Sequence, residues 1–149
     1  MKPNKETVRQ RMKRFQEVCK NEGVRLTFQR ITIFEAVAGS DEHPDAETIH
    51  KAVRKKMPTV SLDTVYRTLW LLHDLGLITT MGPPRERVRF DANTKPHHHF
   101  VCTRCGLARD FEHGEFDALK IPDEVKAMGN VETARVELRG VCFGCAKKG

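Results

Sequence analysis

Apolar positions in the first half of the chain recur at spacings of three and four, the period of helices with one buried face. Val8, Met12, Phe15 and Val18/Cys19 predict an amphipathic helix over residues 5–20, with a Lys/Arg-rich outer face and a stop at Gly23. Thr27 offers an N-cap to a second helix, marked by Ile31, Ile33/Phe34 and Val37 and ending at Gly39-Ser40. Beyond the turn "DEHPD", Ala46, Ile49, Val53 and Met57 predict a third helix closed by Pro58. Ser61 then caps a fourth, with Leu62, Val65, Leu69 and Leu72 on one stripe, Thr64, Arg67 and Thr68 on the opposite side, and Gly76 where a C′ glycine belongs. The segment "LITTMGPPRERVRFD" reads as strand, Gly-Pro-Pro turn and strand. Helices followed by a two-stranded ribbon predict a winged helix-turn-helix over residues 1–91.

After Asp91 the period shortens to two. Strands are predicted at His97–Cys102, Leu107–Phe111 and Val131–Val141, the last from Ala134, Val136 and Leu138 alternating with polar neighbours. A helix from about Glu115 to Met128 is expected between them. The fold class is therefore α+β: a winged-helix domain, then a smaller α/β domain over 92–149.

Composition narrows the function classes. With 39% hydrophobic and 31% charged residues, and no apolar run near the roughly 20 residues of a membrane span, the chain reads as soluble and cytoplasmic, with no membrane partner. The net charge of +6 is uneven: residues 1–91 carry 17 Lys+Arg against 12 Asp+Glu, residues 92–149 carry 9 against 8. The first part is the better match for a polyanion. On the fourth helix Thr64, Arg67 and Thr68, flanked by Tyr66, have side chains long enough to reach base edges in a major groove. Arg85, Arg87 and Arg89 on the ribbon would grip the DNA backbone, so losing them should weaken binding to all sequences alike.

Four of the five cysteines form two CxxC pairs, Cys102/Cys105 and Cys142/Cys145, and in a reducing compartment that pattern points to metal. Four thiolates suit structural Zn²⁺, closed and tetrahedral at about 2.3 Å. A thioredoxin-like redox pair, the rival reading, wants a single CxxC at a helix start in a βαβ setting. Cys19, on an apolar helix face, reads as a core thiol. In "KPHHHFVCTRCGLARDF", His97 and His99 project from one strand face and His98 from the other. Asp110 on the next strand and Asp91 before the first can join them in an oxygen-richer set that suits Fe²⁺ or Mn²⁺ better than the thiolates do. Two ions of opposite character are expected.

With these motifs in hand, the chain resembles the ferric uptake regulator family over nearly its whole length, through "GVRLTFQR", "HP", "SLDTVYRTL", "RFD", "HHHFVCTRCG", "RDF" and "GVCFGC". The resemblance implies a homodimeric, metal-dependent repressor on a palindromic double-stranded DNA operator. It implies zinc on Cys102, Cys105, Cys142 and Cys145, and a regulatory Fe²⁺ or Mn²⁺ on His43, Asp91, His97, His99 and Asp110. It also implies Arg25 near the minor groove, with Tyr66 and Arg67 at the bases. Aspartate at both 91 and 110 resembles the peroxide-sensing, PerR-type branch, in which H₂O₂ is a signal and His43 or His97 becomes 2-oxo-histidine. Arg67 after Tyr66, by contrast, resembles the recognition helix of the iron sensors.

Three other readings stay open on sequence. One is a repressor that senses iron or zinc occupancy alone. Another is a metal enzyme, against which stand the absence of a substrate-sized domain and of a separate general base. The third is a zinc-stabilised module whose winged helix binds protein, which would lack a steep salt dependence of nucleic-acid binding.

Overall fold

The structure is a computed structural model and describes residues 2–82 and 87–148. It divides into two compact units, Met1–Thr94 and Lys95–Gly149.

In the first unit, four helices precede a hairpin: α1 (Lys5–Asn21), α2 (Phe28–Ala38), α3 (Ala46–Val53), α4 (Leu62–Asp74), then strands β1 (Thr79–Met81) and β2 (Arg89–Asp91). Every helix starts on a side chain that accepts a backbone N–H three residues on: Asn4 from Thr7, Thr27 from Arg30, Asp45 from Thr48 and Ser61 from Thr64. Each such cap stabilises its helix by about 1 kcal/mol. α4 ends as expected, with Gly76 at φ 72° and the Leu77 amide donating back to the Leu72 carbonyl. α3 stops four residues short of the expected Met57.

The apolar stripes meet in one core. Phe15, Cys19, Ile33, Phe34, Val37, Ile49, Val65, Leu69, Leu72, Leu77 and Phe90 are all buried in it, and the rings of Phe15 and Phe34 stack at 4.6 Å. β1 and β2 pair antiparallel with Thr80 opposite Phe90. Phe90 therefore turns inward, and Arg89 and Asp91 share the other face of their strand.

The second unit is built on β3 (His98–Cys102), which lies between β4 (Ala108–Phe111) and β5 (Glu137–Gly140). β3 pairs antiparallel with β4, Asp110 facing His99, and parallel with β5. Between β4 and β5 the single expected helix is instead two short ones, α5 (Gly114–Asp117) and α6 (Asp123–Lys126). Pro122 is the reason: it has no N–H to donate and pushes Ile121 out of the helical region, so the helix must stop and restart. The long final strand is also shorter than its alternation predicts. Residues 131–136 are not in a strand, and the strand that pairs with β3 is only Glu137–Gly140, with the Val136 carbonyl accepting the His99 amide just before it. A last helix, α7 (Phe143–Lys147), carries the second CxxC and was not expected.

Candidate metal centres

The second unit gathers all four expected cysteines. Their sulfurs lie within 4.8 Å of one another, and the Cys105 and Cys142 sulfurs are 3.8 Å apart. Sulfurs about 2.3 Å from one tetrahedral ion would sit about 3.8 Å from each other, so the spacing fits zinc. Local backbone sets it. Cys102 ends β3, Gly106 at φ 76° turns the chain after Cys105, and Cys142 caps α7 so that Cys145 falls in its first turn.

Backbone amides then point at sulfur: Cys142 N–H at Cys102 (3.3 Å), Cys145 N–H at Cys142 (3.4 Å) and Leu107 N–H at Cys105 (3.4 Å). The Cys105 and Cys142 amides pull the Cys102 thiol down to about 6. Hydrogen bonds to the Cys105 and Cys142 sulfurs, with burial behind them, push the Cys145 thiol up to about 12. The Cys102 thiolate forms readily while the Cys145 thiol resists ionisation, so a complete set of four thiolates calls for a cation.

A harder donor set stands at the start of β3 and on its neighbour β4. His97 Nε2 and His99 Nε2 are 3.1 Å apart, and Asp110 Oδ1 lies 3.2 Å from His99 Nε2 and 3.7 Å from His97 Nε2. The His97 Nδ1 donates to the Lys95 carbonyl at 2.6 Å. A carbonyl can only accept, so the proton stays on Nδ1 and the Nε2 lone pair faces His99 and Asp110. Donors about 3 Å apart are what an ion with ligands near 2.1 Å requires.

His98 points the other way, as alternation demands, and its chemistry is reversed. Its Nδ1 accepts the Val136 amide (3.0 Å) and its Nε2 donates to Asp117 Oδ1 (2.8 Å), with its ring against those of Phe111 and Phe116. Sequence reasoning missed this link. The only signal for it was an aspartate and two phenylalanines within reach of a strand whose far face had been set aside.

In the first unit His43 and Asp91 come together, His43 Nε2 at 3.3 Å from Asp91 Oδ2, both buried. His43 has φ 55°, the one non-glycine residue with positive φ among those described. Nearby, Asp45 accepts the Thr48 amide and pairs with Arg87 at 3.0 Å. Burial works to raise the Asp45 carboxyl, but the Thr48 bonds and the Arg87 charge outweigh it and hold it below the usual carboxylate range.

The residues expected to meet DNA divide. Arg25, Tyr66 and Arg67 are exposed, and Arg67 forms a salt bridge along α4 to Asp63 at 2.9 Å. Thr68 is a correction: it is 7% exposed, because it sits one turn before buried Leu72 on the same side of α4. Thr64 is half-buried, its hydroxyl taken by Ser61. The outward row is Asp63, Tyr66, Arg67, Trp70 and Asp74. Arg85 lies outside the described residues. Arg87 pairs with Asp45 and Glu47, and Arg89 turns onto the backbone of residues 42–43 instead of reaching out along a wing.

A winged-helix unit followed by a unit that carries a thiol cluster and an imidazole–carboxylate set defines a class: metal-responsive transcription regulators. The sequence pattern of the ferric uptake regulator family matches residues 21–139, and the chain belongs to that family. It is 36% identical over 132 residues to the peroxide operon regulator of Bacillus subtilis (89% of this chain, 91% of that one). It is 33% identical over 127 residues to the peroxide-responsive repressor PerR of Staphylococcus epidermidis, covering 85% of each. The Campylobacter jejuni peroxide stress regulator has a similar structure, with a TM-score of 0.65 at 26% identity over 78% of this chain and 88% of that one. Such relatives are regulators rather than enzymes, and no helix among the described residues is long and apolar enough to cross a membrane.

Proposed function

We propose that this chain is a homodimeric repressor in which one regulatory Fe²⁺ or Mn²⁺ takes His43, Asp91, His97, His99 and Asp110 as ligands, zinc occupies the four cysteines, and peroxide releases the DNA. The observation that carries this reading is the convergence of His97, His99 and Asp110, with the His97 lone pair aimed by the Lys95 carbonyl. On this reading, metal occupancy would favour one state of the dimer over another. Metal then selects the DNA-competent state by binding it more tightly.

DNA would be met by Tyr66 and Arg67 at base edges, with Arg25 near the minor groove. The second unit leaves Leu119, Val125, Met128, Val131, Leu138, Val141 and Phe143 exposed, apolar side chains that a partner surface would cover. A second copy is the partner that covers them.

Bound iron would relay electrons from the ring to peroxide with no net loss of its own, whereas manganese would hold the ligands without that chemistry. The imidazole of His43 or His97 takes up one peroxide oxygen at a ring C–H and the other oxygen leaves as water, so the ring loses the two electrons that the peroxide gains. An oxidised ring is a poorer ligand, and the DNA-competent state loses its support. The test is operator binding by full-length protein loaded with Fe²⁺ or Mn²⁺, each with and without H₂O₂, followed by peptide mass spectrometry. The expected result is release by peroxide from the iron form only, with one added oxygen on the His43 or His97 peptide. Release without added oxygen on either peptide defeats the proposed chemistry.

The pair Tyr66-Arg67, which resembles the recognition helix of iron sensors, favours a second reading: a metal-uptake repressor that answers to iron or zinc occupancy alone. It predicts release by chelator and indifference to peroxide.

A further inference from the structure

β2 grips the His43 turn at several points. The Arg89 Nε–H donates to the His43 carbonyl at 2.7 Å, and a terminal N–H of the same guanidinium donates to the Glu42 carbonyl. The Phe90 amide donates to the Pro44 carbonyl at 2.9 Å. Three successive carbonyls are thus held by two adjacent residues. Two positions along, on the same strand face as Arg89, Asp91 meets the His43 imidazole at 3.3 Å.

The turn needs holding. His43 sits at φ 55°, a left-handed region unfavourable for a residue with a Cβ, and it precedes Pro44, whose ring biases the residue before it toward extended backbone. Left to itself the segment would relax and swing the imidazole away from Asp91. The planar fork of a guanidinium can donate to two neighbouring carbonyls at once, and a lysine ammonium at the same place lacks that geometry.

We propose that Arg89 is a positioning residue for the regulatory metal: it clamps the Glu42–His43 backbone so that the His43 imidazole is presented beside Asp91. Arg89 thereby leaves the set of DNA-backbone contacts and joins the support of the ligand set. The inference rests on the reading of His43 and Asp91 as ligands, and its test separates the two.

Zinc-loaded, full-length protein is titrated with Mn²⁺, free Mn²⁺ being read by electron paramagnetic resonance, for wild type, H43A, R89M, R89K and the double variant H43A/R89M. Melting temperature and zinc content are measured alongside. The expected result is that R89M weakens Mn²⁺ binding about tenfold to a hundredfold, the range for losing a group that orients a ligand. R89K should fall in between. The double variant should bind no more weakly than H43A alone, because a residue acting only through His43 has nothing left to position. R89M binding within about twofold of wild type while H43A binds weakly overturns the positioning role and leaves the ligand reading intact. H43A binding like wild type overturns the ligand reading and this inference with it. If R89M unfolds or loses zinc, R89K decides: weaker Mn²⁺ binding at an unchanged melting temperature upholds the clamp, and unchanged binding removes it.

Discussion

His98 shows how one residue can be sealed between two that are open to a metal. Both of its ring nitrogens are used within the second unit, one by the Val136 amide and one by the Asp117 carboxylate, and its ring is buried against Phe111 and Phe116. His98→Ala should therefore cost about 2–4 kcal/mol, from the cavity and from the buried partners left without a bond. Chemical denaturation of the full-length protein checks this. Mn²⁺ affinity should fall far less than it does in His99→Ala, since no ligand is lost; equal losses would contradict the opposed roles of the two rings. Legibility at this scale was mixed. Strand alternation correctly separated His98 from its neighbours, because direction along a strand is a matter of period alone. Thr68 was misread because polarity was taken for exposure. The role of Arg89 could not be read at all, since its partners are main-chain carbonyls, which every residue has.

Helix starts were the most legible elements, because a cap is a local event: Thr27 and Ser61 accept their amides within three residues. Asp45 does the same for α3 and adds a charge that Arg87 answers. Its carboxyl is held low in the folded chain, so the charge stabilises above the unfolded value of about 3.9 and that contribution disappears as pH falls through the lower folded value. Asp45→Asn keeps a capping oxygen and removes the charge. The expected loss is about 0.5 kcal/mol at neutral pH, the size of a solvent-screened pair. Thermal melts from pH 7 downward should show the two proteins converging below about pH 4. A gap that widens in acid would mean that the charge is not the source. The segment after β4 was the least legible. Its helical pattern runs from Glu115 to Met128, but Pro122 overrides it, and the faces of α5 and α6 cannot be assigned from a unit that keeps so much of its apolar surface outside.

At the scale of the whole molecule, that outer surface carries the argument for a dimer. Phe143, 86% exposed at the start of α7, and Met128, 75% exposed, are poor residues to leave in water. Phe143→Glu should shift sedimentation from dimer toward monomer and lower operator affinity by at least about tenfold, as two half-sites cease to be bound together. An unchanged sedimentation profile would move the interface elsewhere. The sequence carried the winged-helix unit well because its core is complete within one chain. It carried the second unit poorly because the partners proposed to order that unit, two kinds of ion and a second subunit, are not written in its hydrophobic period.

β3 ends at Cys102, and three residues earlier it displays His99. Zinc in the thiol cluster would thus pin the end of the strand that carries His99, and on the proposed reading filling it should come first in assembly. Protein purified after zinc starvation should stay deaf to manganese added later, and should regain its response when zinc is supplied before manganese. A regulator built this way would carry a record of the zinc supply at its synthesis into every later reading of the second ion.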